Sequence, residues 1–221
     1  MGGLKFDGVV FDVDGVLFDT ERLGRSVWRE IGAEMGCPQA AENYLHFVGR
    51  SRADNLVEMA RLFGPDFPGK DFMSNCSQRA MERMVRDGVP LKEGVHEILN
   101  LLKERNIPVA LATSTYRDRT LLRMEMTGLG HYFQSMTTGD QVKQSKPHPE
   151  IYQMACRDLG VDPAHTLAVE DSRNGILSAH GAGMLPVMIP DLIPPTPELE
   201  ALLFKRFASL LELRNYLAQT L

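Results

Sequence analysis

Short apolar runs alternate along most of the chain with longer segments whose apolar residues recur every three or four positions. The first run spans Phe6 to Asp12 and contains Val9-Val10-Phe11. An uninterrupted β-branched and aromatic run predicts a strand buried on both faces, as in a parallel sheet. Comparable runs recur at Val109-Ala110-Leu111-Ala112, Thr166-Leu167-Ala168-Val169 and Leu185-Pro186-Val187-Met188-Ile189, with a weaker candidate from Ser135 to Thr138. Between them the spacing predicts helices over Val95 to Arg105, Arg119 to Met126, Glu150 to Leu159 and Gly175 to Ala182. Strands alternating with helices make βα units, so the expected fold class is α/β, a doubly wound, Rossmann-like parallel sheet.

One stretch breaks the alternation. From Phe18 to Asp87 no strand pattern stands out, only helical ones. Thr20 is placed to cap a helix over Glu21 to Met35, Ser51 one over Arg52 to Leu62, and Asp71 one over Phe72 to Val85,. Gly64-Pro65-Asp66-Phe67-Pro68-Gly69 reads as a loop inside this stretch, and Asp87-Gly88-Val89-Pro90 as the return hinge,. The expectation is a helical cap over residues 18–87, inserted into a sheet domain made of residues 1–17 and 88–221. Pro190 to Pro197 reads as a surface connection, and Ser209 as the cap of a final helix through Ala218.

Composition adds limits. With 221 residues, 43% hydrophobic and 24% charged, the chain can bury a full core,. Its formal charge of −5 and the lack of a Lys/Arg cluster exclude general nucleic-acid binding,. Cys37, Cys76 and Cys156 are odd in number and widely spaced, which reads as reduced thiols in a cytoplasmic protein,. Met1-Gly2-Gly3-Leu4-Lys5 has no apolar targeting core, and no run approaches the roughly 18 apolar residues of a membrane span,. A soluble monomer is the default expectation.

Candidate chemistry sits where the strands end, because ligands of parallel sheets gather beyond the carboxyl edge near the topological switch point. The first strand ends in Asp12-Val13-Asp14-Gly15, the second in Thr113-Ser114, and a later one in Glu170-Asp171-Ser172. Ser145-Lys146-Pro147-His148-Pro149-Glu150 adds a cation in a rigid turn entering a helix. In extended chain, residues two apart face the same side, so Asp12 and Asp14 can both address one site, one attacking while the other handles protons. Magnesium takes six oxygens and keeps waters, so Asp12, a carboxylate from Glu170-Asp171 and a phosphate suffice for it. Thr113 and Ser114 can cap the following helix and also meet a phosphate, since a helix N-terminus attracts anions. Lys146 offsets the collected negative charge. Taken singly, each of these is a common capping or surface residue; their order and convergence give them weight.

Asp12-Val13-Asp14-Gly15-Val16-Leu17, Thr113, Lys146-Pro147 and Glu170-Asp171-Ser172-Arg173-Asn174-Gly175 resemble the four ordered motifs of the haloacid dehalogenase-like hydrolase superfamily. The position of the insert is similar to the helical cap of its β-phosphoglucomutase-like subgroup. The resemblance implies a phosphatase in which Asp12 attacks phosphorus and Asp14 protonates the leaving alcohol, then deprotonates water. It implies Mg²⁺ on the Asp12 carboxylate, the Asp14 carbonyl and Asp171, with Glu170 adjacent. Thr113, Ser114 and Lys146 would hold the phosphoryl group of a small phosphorylated metabolite. Arg52 matches the cap arginine that contacts substrate phosphate in the mutase. The mutase's histidine falls at Gly24, and its cap lysine near Asn75, which favours hydrolysis over phosphosugar mutase activity. A carbon–halogen hydrolase would need no acid like Asp14, and a phospho-accepting signalling module would lack the helical insert.

Overall fold

The computed structural model describes residues 6–50 and 52–221. In chain order its strands are β1 (Gly8–Phe11), β2 (Val109–Thr113), β3 (Ser135–Thr138), β4 (Thr166–Glu170), β5 (Leu185–Met188) and β6 (Lys205–Arg206). Its α-helices are α1 (Thr20–Glu34), α2 (Gln39–Glu42), α3 (Arg52–Phe63), α4 (Gly69–Asp87), α5 (Val95–Glu104), α6 (Arg117–Thr127), α7 (Glu150–Leu159), α8 (Arg173–Gly181), α9 (Pro197–Glu200) and α10 (Leu210–Thr220).

The strands form one parallel sheet in the order β3-β2-β1-β4-β5-β6. After β1 the chain builds outward through β2 and β3, then crosses back to β4 on the other side of β1. That reversal puts the switch point at the carboxyl ends of β1 and β4, where a crevice opens for ligands. Every residue of β1, β2 and β4 is buried, as a sheet covered on both faces requires,. One face carries Val9, Phe11, Leu111, Leu167 and Val169 against Ile98, Leu102, Leu213 and Leu217. The other carries Val10, Ala110, Ala112 and Ala168, whose small side chains let Ile151, Tyr152 and Ala155 of α7 settle close to the sheet,.

Helices α1 to α4 follow β1 and have a core of their own, built from Val27, Trp28, Ile31, Tyr44, Phe47, Met59 and Phe72. Trp28 meets Tyr44 and Phe72 edge-to-face at 5.2 and 5.0 Å, the arrangement aromatic quadrupoles prefer,. Two contacts tie the start of these helices to the segment that leads back to the sheet: Phe18 pairs with Leu91, and the Asp19 N–H donates to the Pro90 carbonyl at 2.8 Å. Because Trp28 anchors the cap core, Trp28→Ala is expected to cost about 3–5 kcal/mol. Denaturant unfolding should detect this as a separate, earlier transition of the cap.

The sequence-based limits shift in informative places. Thr20 is the first residue of α1 and Asp19 its flanking position, so Thr20 does not cap the helix. Asp71 lies inside α4, which begins at Gly69 and runs past Val85 to Asp87. The cap expected at Ser51 lies outside the described residues. Ser172 accepts from the Gly175 N–H at 3.1 Å, so α8 starts before the predicted Gly175. Ser209 does cap α10, accepting from the Glu212 N–H. Strand β6 and helices α2 and α9 carried no signal; β6 is two exposed basic residues on the sheet edge.

Candidate active site

Four buried side chains converge at the switch point. Asp12 leaves the end of β1 with its N–H bonded to the Val169 carbonyl, Glu170 closes β4, Asp171 follows it, and Lys146 comes from the segment entering α7. Lys146 Nζ donates to Asp12 Oδ1 at 2.7 Å, to Glu170 Oε1 at 2.6 Å and to the Ala112 carbonyl at 2.9 Å. It also stands 4.9 Å from the centre of the Tyr152 ring, whose hydroxyl donates to Glu170 Oε1 at 2.7 Å,. Ser172 Oγ donates to the other Glu170 oxygen. Two glycines make the room. A Cβ on Gly15, which has φ +83°, would lie 2.1 Å from Asp171 Oδ2, and one on Gly175 would lie 1.9 Å from Glu170 Cδ,.

Electrostatics follow from this crowding. Burial pushes the Asp12 carboxyl up to about 8, with Glu170 adding to the rise and Lys146 opposing it,. Burial, then Glu170 and Asp12, push Asp171 well above the usual carboxylate range. Burial works to lower Lys146, but Asp12 and Glu170 outweigh it and hold the ammonium above its usual range. Asp12, Glu170 and Asp171 each offer an oxygen within 4.8 Å of the others. Three buried carboxylates against one ammonium leave negative charge uncompensated, and hard oxygen donors in this number suit a divalent cation such as magnesium.

Asp14 is placed differently. Its Oδ1 accepts from Thr20 Oγ1 at 2.7 Å and Arg123 Nη1 at 2.6 Å, and its Oδ2 from Thr115 Oγ1 at 2.7 Å. Burial would raise this carboxyl, but the Arg123 guanidinium and the Thr115 and Thr20 hydroxyls together hold it below the usual range. Thr113 is buried at the end of β2 and accepts from the Thr115 N–H at 3.1 Å, whereas Ser114 is exposed. Arg52 is also exposed, and its described partners, Ser74 Oγ and the Lys70 carbonyl, both lie in the cap. The geometry therefore gathers Asp12, Lys146, Glu170 and Asp171, sets Asp14 and Thr113 beside them, and does not bring Arg52 to them.

The helical segment after β1 meets the sheet's loops next to Asp171. Asn174 Nδ2 donates to the Gly49 carbonyl at 2.8 Å, and a cavity of about 490 Å³ there is bordered by His46, Arg50, Asp171, Arg173, Asn174 and Leu192. Arg50, not Arg52, is the cap arginine on its wall. Deeper in the cap, Glu21 is pushed up to about 7 by burial and accepts from the Tyr44 hydroxyl at 2.7 Å. A Cβ on Gly24 would lie 2.4 Å from that hydroxyl, so the tyrosine fills the place a side chain at position 24 would need. Asn75 faces the Met35 sulfur at 3.7 Å. Sequence reading missed Tyr152, Thr115 and Arg123. Tyr152 shares a helical apolar face with Ile151 and Ala155, and Arg123 looks like any cation on an exposed helix, so neither carried a distinguishing signal. Among the described residues no helix is long and apolar enough to cross a membrane.

A family model described as haloacid dehalogenase-like hydrolase matches residues 9–189. The chain is 34% identical over 181 residues to the phosphorylated carbohydrates phosphatase of Thermotoga maritima, covering 80% of this chain and 82% of that one. It is 30% identical over 183 residues to hexitol phosphatase B of Escherichia coli, covering 82% of each. The crystal structure of CbbY from Rhodobacter sphaeroides in complex with phosphate superposes with a TM-score of 0.78 at 26% identity, covering 95% of this chain and 96% of that one.

Proposed function

Because this chain belongs to the haloacid dehalogenase-like hydrolase family and is a phosphoric monoester hydrolase, we propose that it hydrolyses a small sugar phosphate or related phosphometabolite through an aspartyl-phosphate on Asp12. The observation that carries this reading is the Asp12–Lys146–Glu170–Asp171 cluster at the switch point, with Asp14 two residues from Asp12. An Asp12 carboxylate oxygen attacks phosphorus, and the P–O bond to the sugar breaks as Asp14, having taken up a proton from water after substrate binds, gives it to the departing oxygen. Water then attacks the same phosphorus, Asp14 takes the water's proton, and phosphate leaves with Asp12 restored. Lys146, Thr113 and Ser114 hold the transferring phosphoryl oxygens, since such catalysis is mostly positioning and charge stabilisation. Asp12, the Asp14 carbonyl and Asp171, with Glu170 beside them, would hold Mg²⁺. That ion supplies charge neutralisation and orientation to the phosphoryl group.

The substrate class is supported by two relatives, a phosphatase of phosphorylated carbohydrates and a hexitol phosphatase. Tyr44 filling the space beside Gly24, and an asparagine at position 75, favour hydrolysis over the mutase reading. In this proposal residues 18–87 are the cap and 1–17 with 88–221 the core. The protein is cytoplasmic and monomeric, and Arg52 meets substrate after leaving Ser74. The test is phosphate release from a panel of hexose and hexitol phosphates with Mg²⁺ or EDTA. Release is expected with Mg²⁺ and a fall of at least about 100-fold in EDTA. Undiminished release in EDTA, or conversion of β-glucose 1-phosphate to glucose 6-phosphate without free phosphate, would overturn it.

A further inference from the structure

Arg123 has a setting unlike that of the other cations on α6. Its side chain is only 12% exposed, its Nη1 lies 2.6 Å from Asp14 Oδ1, and its Nε is buried without a hydrogen-bond partner among the described residues. A buried N–H left unpaired costs free energy, so packing alone does not account for an arginine here. Among the described residues its one short ionic contact is Asp14, across 109 residues of sequence.

That contact completes a clamp. Thr20 comes from the first residue of the cap helix α1, Thr115 from the turn after β2, and Arg123 from α6. Together they take both carboxylate oxygens of Asp14, one of them twice. Among the described groups, the oxygens that would face a departing alcohol are therefore turned onto protein donors. Thr20 and Thr115 are hydroxyls, which can rotate and also accept, so they can stay with Asp14 as its role changes. A guanidinium only donates and is held by its helix. It is the member of the clamp that has to let go.

We propose that Arg123 is a positioning residue that holds Asp14 in a resting arrangement, and that the Arg123–Asp14 bond opens in every turnover before the leaving oxygen is protonated. This rests on the reading of Asp14 as the proton-handling partner of Asp12. Arg123 acts through Asp14 and not on the substrate. Opening the bond is an added cost on the step that expels a poor leaving group. It adds nothing where the leaving group departs without a proton.

Arg123→Met keeps the length and apolar stem and removes the clamp; Arg123→Lys restores a cation. Aspartyl-phosphate formation is followed in single turnovers with Mg²⁺, using a hexitol phosphate and p-nitrophenyl phosphate, whose phenolate leaves unprotonated. R123M is expected to raise the hexitol-to-nitrophenyl rate ratio about threefold or more, and R123K to bring it back to the wild-type value. Should R123M fail to fold, Arg123→Gln, which keeps a polar donor without the charge, is expected to raise the ratio in the same direction. An unchanged ratio, or a ratio that falls, overturns the proposal. Asp14→Asn separates the two readings. It is expected to abolish transfer from the hexitol phosphate while sparing transfer from the nitrophenyl ester. If D14N spares both, the role of Asp14 fails. If D14N behaves as expected and R123M does not move the ratio, only the clamp fails.

Discussion

Asp12→Asn is expected to reduce phosphate release by at least about 10³-fold, because removing the group that forms the covalent intermediate removes the route and not merely an interaction. The same substitution is expected to leave the fold intact, and to make the metal-free protein as stable as wild type or more so. An amide keeps the shape and can still accept from Lys146, which donates to Asp12 Oδ1 at 2.7 Å. What it removes is one of three buried carboxylates. Burial pushes the Asp12 carboxyl up to about 8 from the 3.8 of a free aspartate, so the folded protein holds this proton more tightly than the unfolded chain. Stability from that proton is full below about 4 and is lost as pH rises towards about 8,. Thermal midpoints in EDTA should therefore fall between pH 5 and pH 8 for wild type and fall less for D12N. Mg²⁺ should raise the wild-type midpoint most at the upper end of that range, where protons no longer compete for the ligands. Turnover of D12N within tenfold of wild type would end the assignment of Asp12 as nucleophile.

Much of the sheet was legible because buried parallel strands are written as continuous apolar runs. The limits Ser135–Thr138 and Glu150–Leu159 are the same in sequence pattern and structure. Errors gathered at helix starts, where a single hydrogen bond decides. Thr20 has the chemistry of a cap, but its hydroxyl goes to Asp14 instead. Ser172 looked like part of a motif and also caps α8, drawing the start of that helix back from Gly175. At the site, the groups that could be read were those standing at strand ends, since topology sends all such ends to one edge. Tyr152 and Arg123 could not be read, because each matters through a partner distant in sequence: Tyr152 through Glu170, 18 residues on, and Arg123 through Asp14, 109 residues back. Arg52 shows where a local motif stops short of placement: its guanidinium lies on Ser74, and Arg50 stands on the cavity wall.

Lys146→Met is expected to damage both stability and turnover, and the two losses can be told apart. The ammonium is buried between Asp12 Oδ1 at 2.7 Å and Glu170 Oε1 at 2.6 Å, with the Ala112 carbonyl accepting a third N–H hydrogen bond. Burial works against the charge, yet the two carboxylates hold it above its usual range, so cation and anions are stable inside only together,. Removing the cation leaves both carboxylates buried without a countercharge, which costs about 3–5 kcal/mol in the metal-free protein. Turnover should fall by about 10²-fold or more, as for loss of a charge aimed at the reacting group. Adding Glu170→Gln to Lys146→Met removes one stranded charge, while its amide oxygen can still accept from the Tyr152 hydroxyl. The double variant is therefore expected to regain at least about 1 kcal/mol of the lost stability, the size of coupling found between groups in one network. It is not expected to regain turnover, because the cation that meets the phosphoryl group is still missing. Urea unfolding in EDTA and phosphate release in Mg²⁺ read the two quantities separately. A K146M protein within about 1 kcal/mol of wild type would show Lys146 behaving as an exposed ion pair does, and the buried network would not be what holds Asp12 in place.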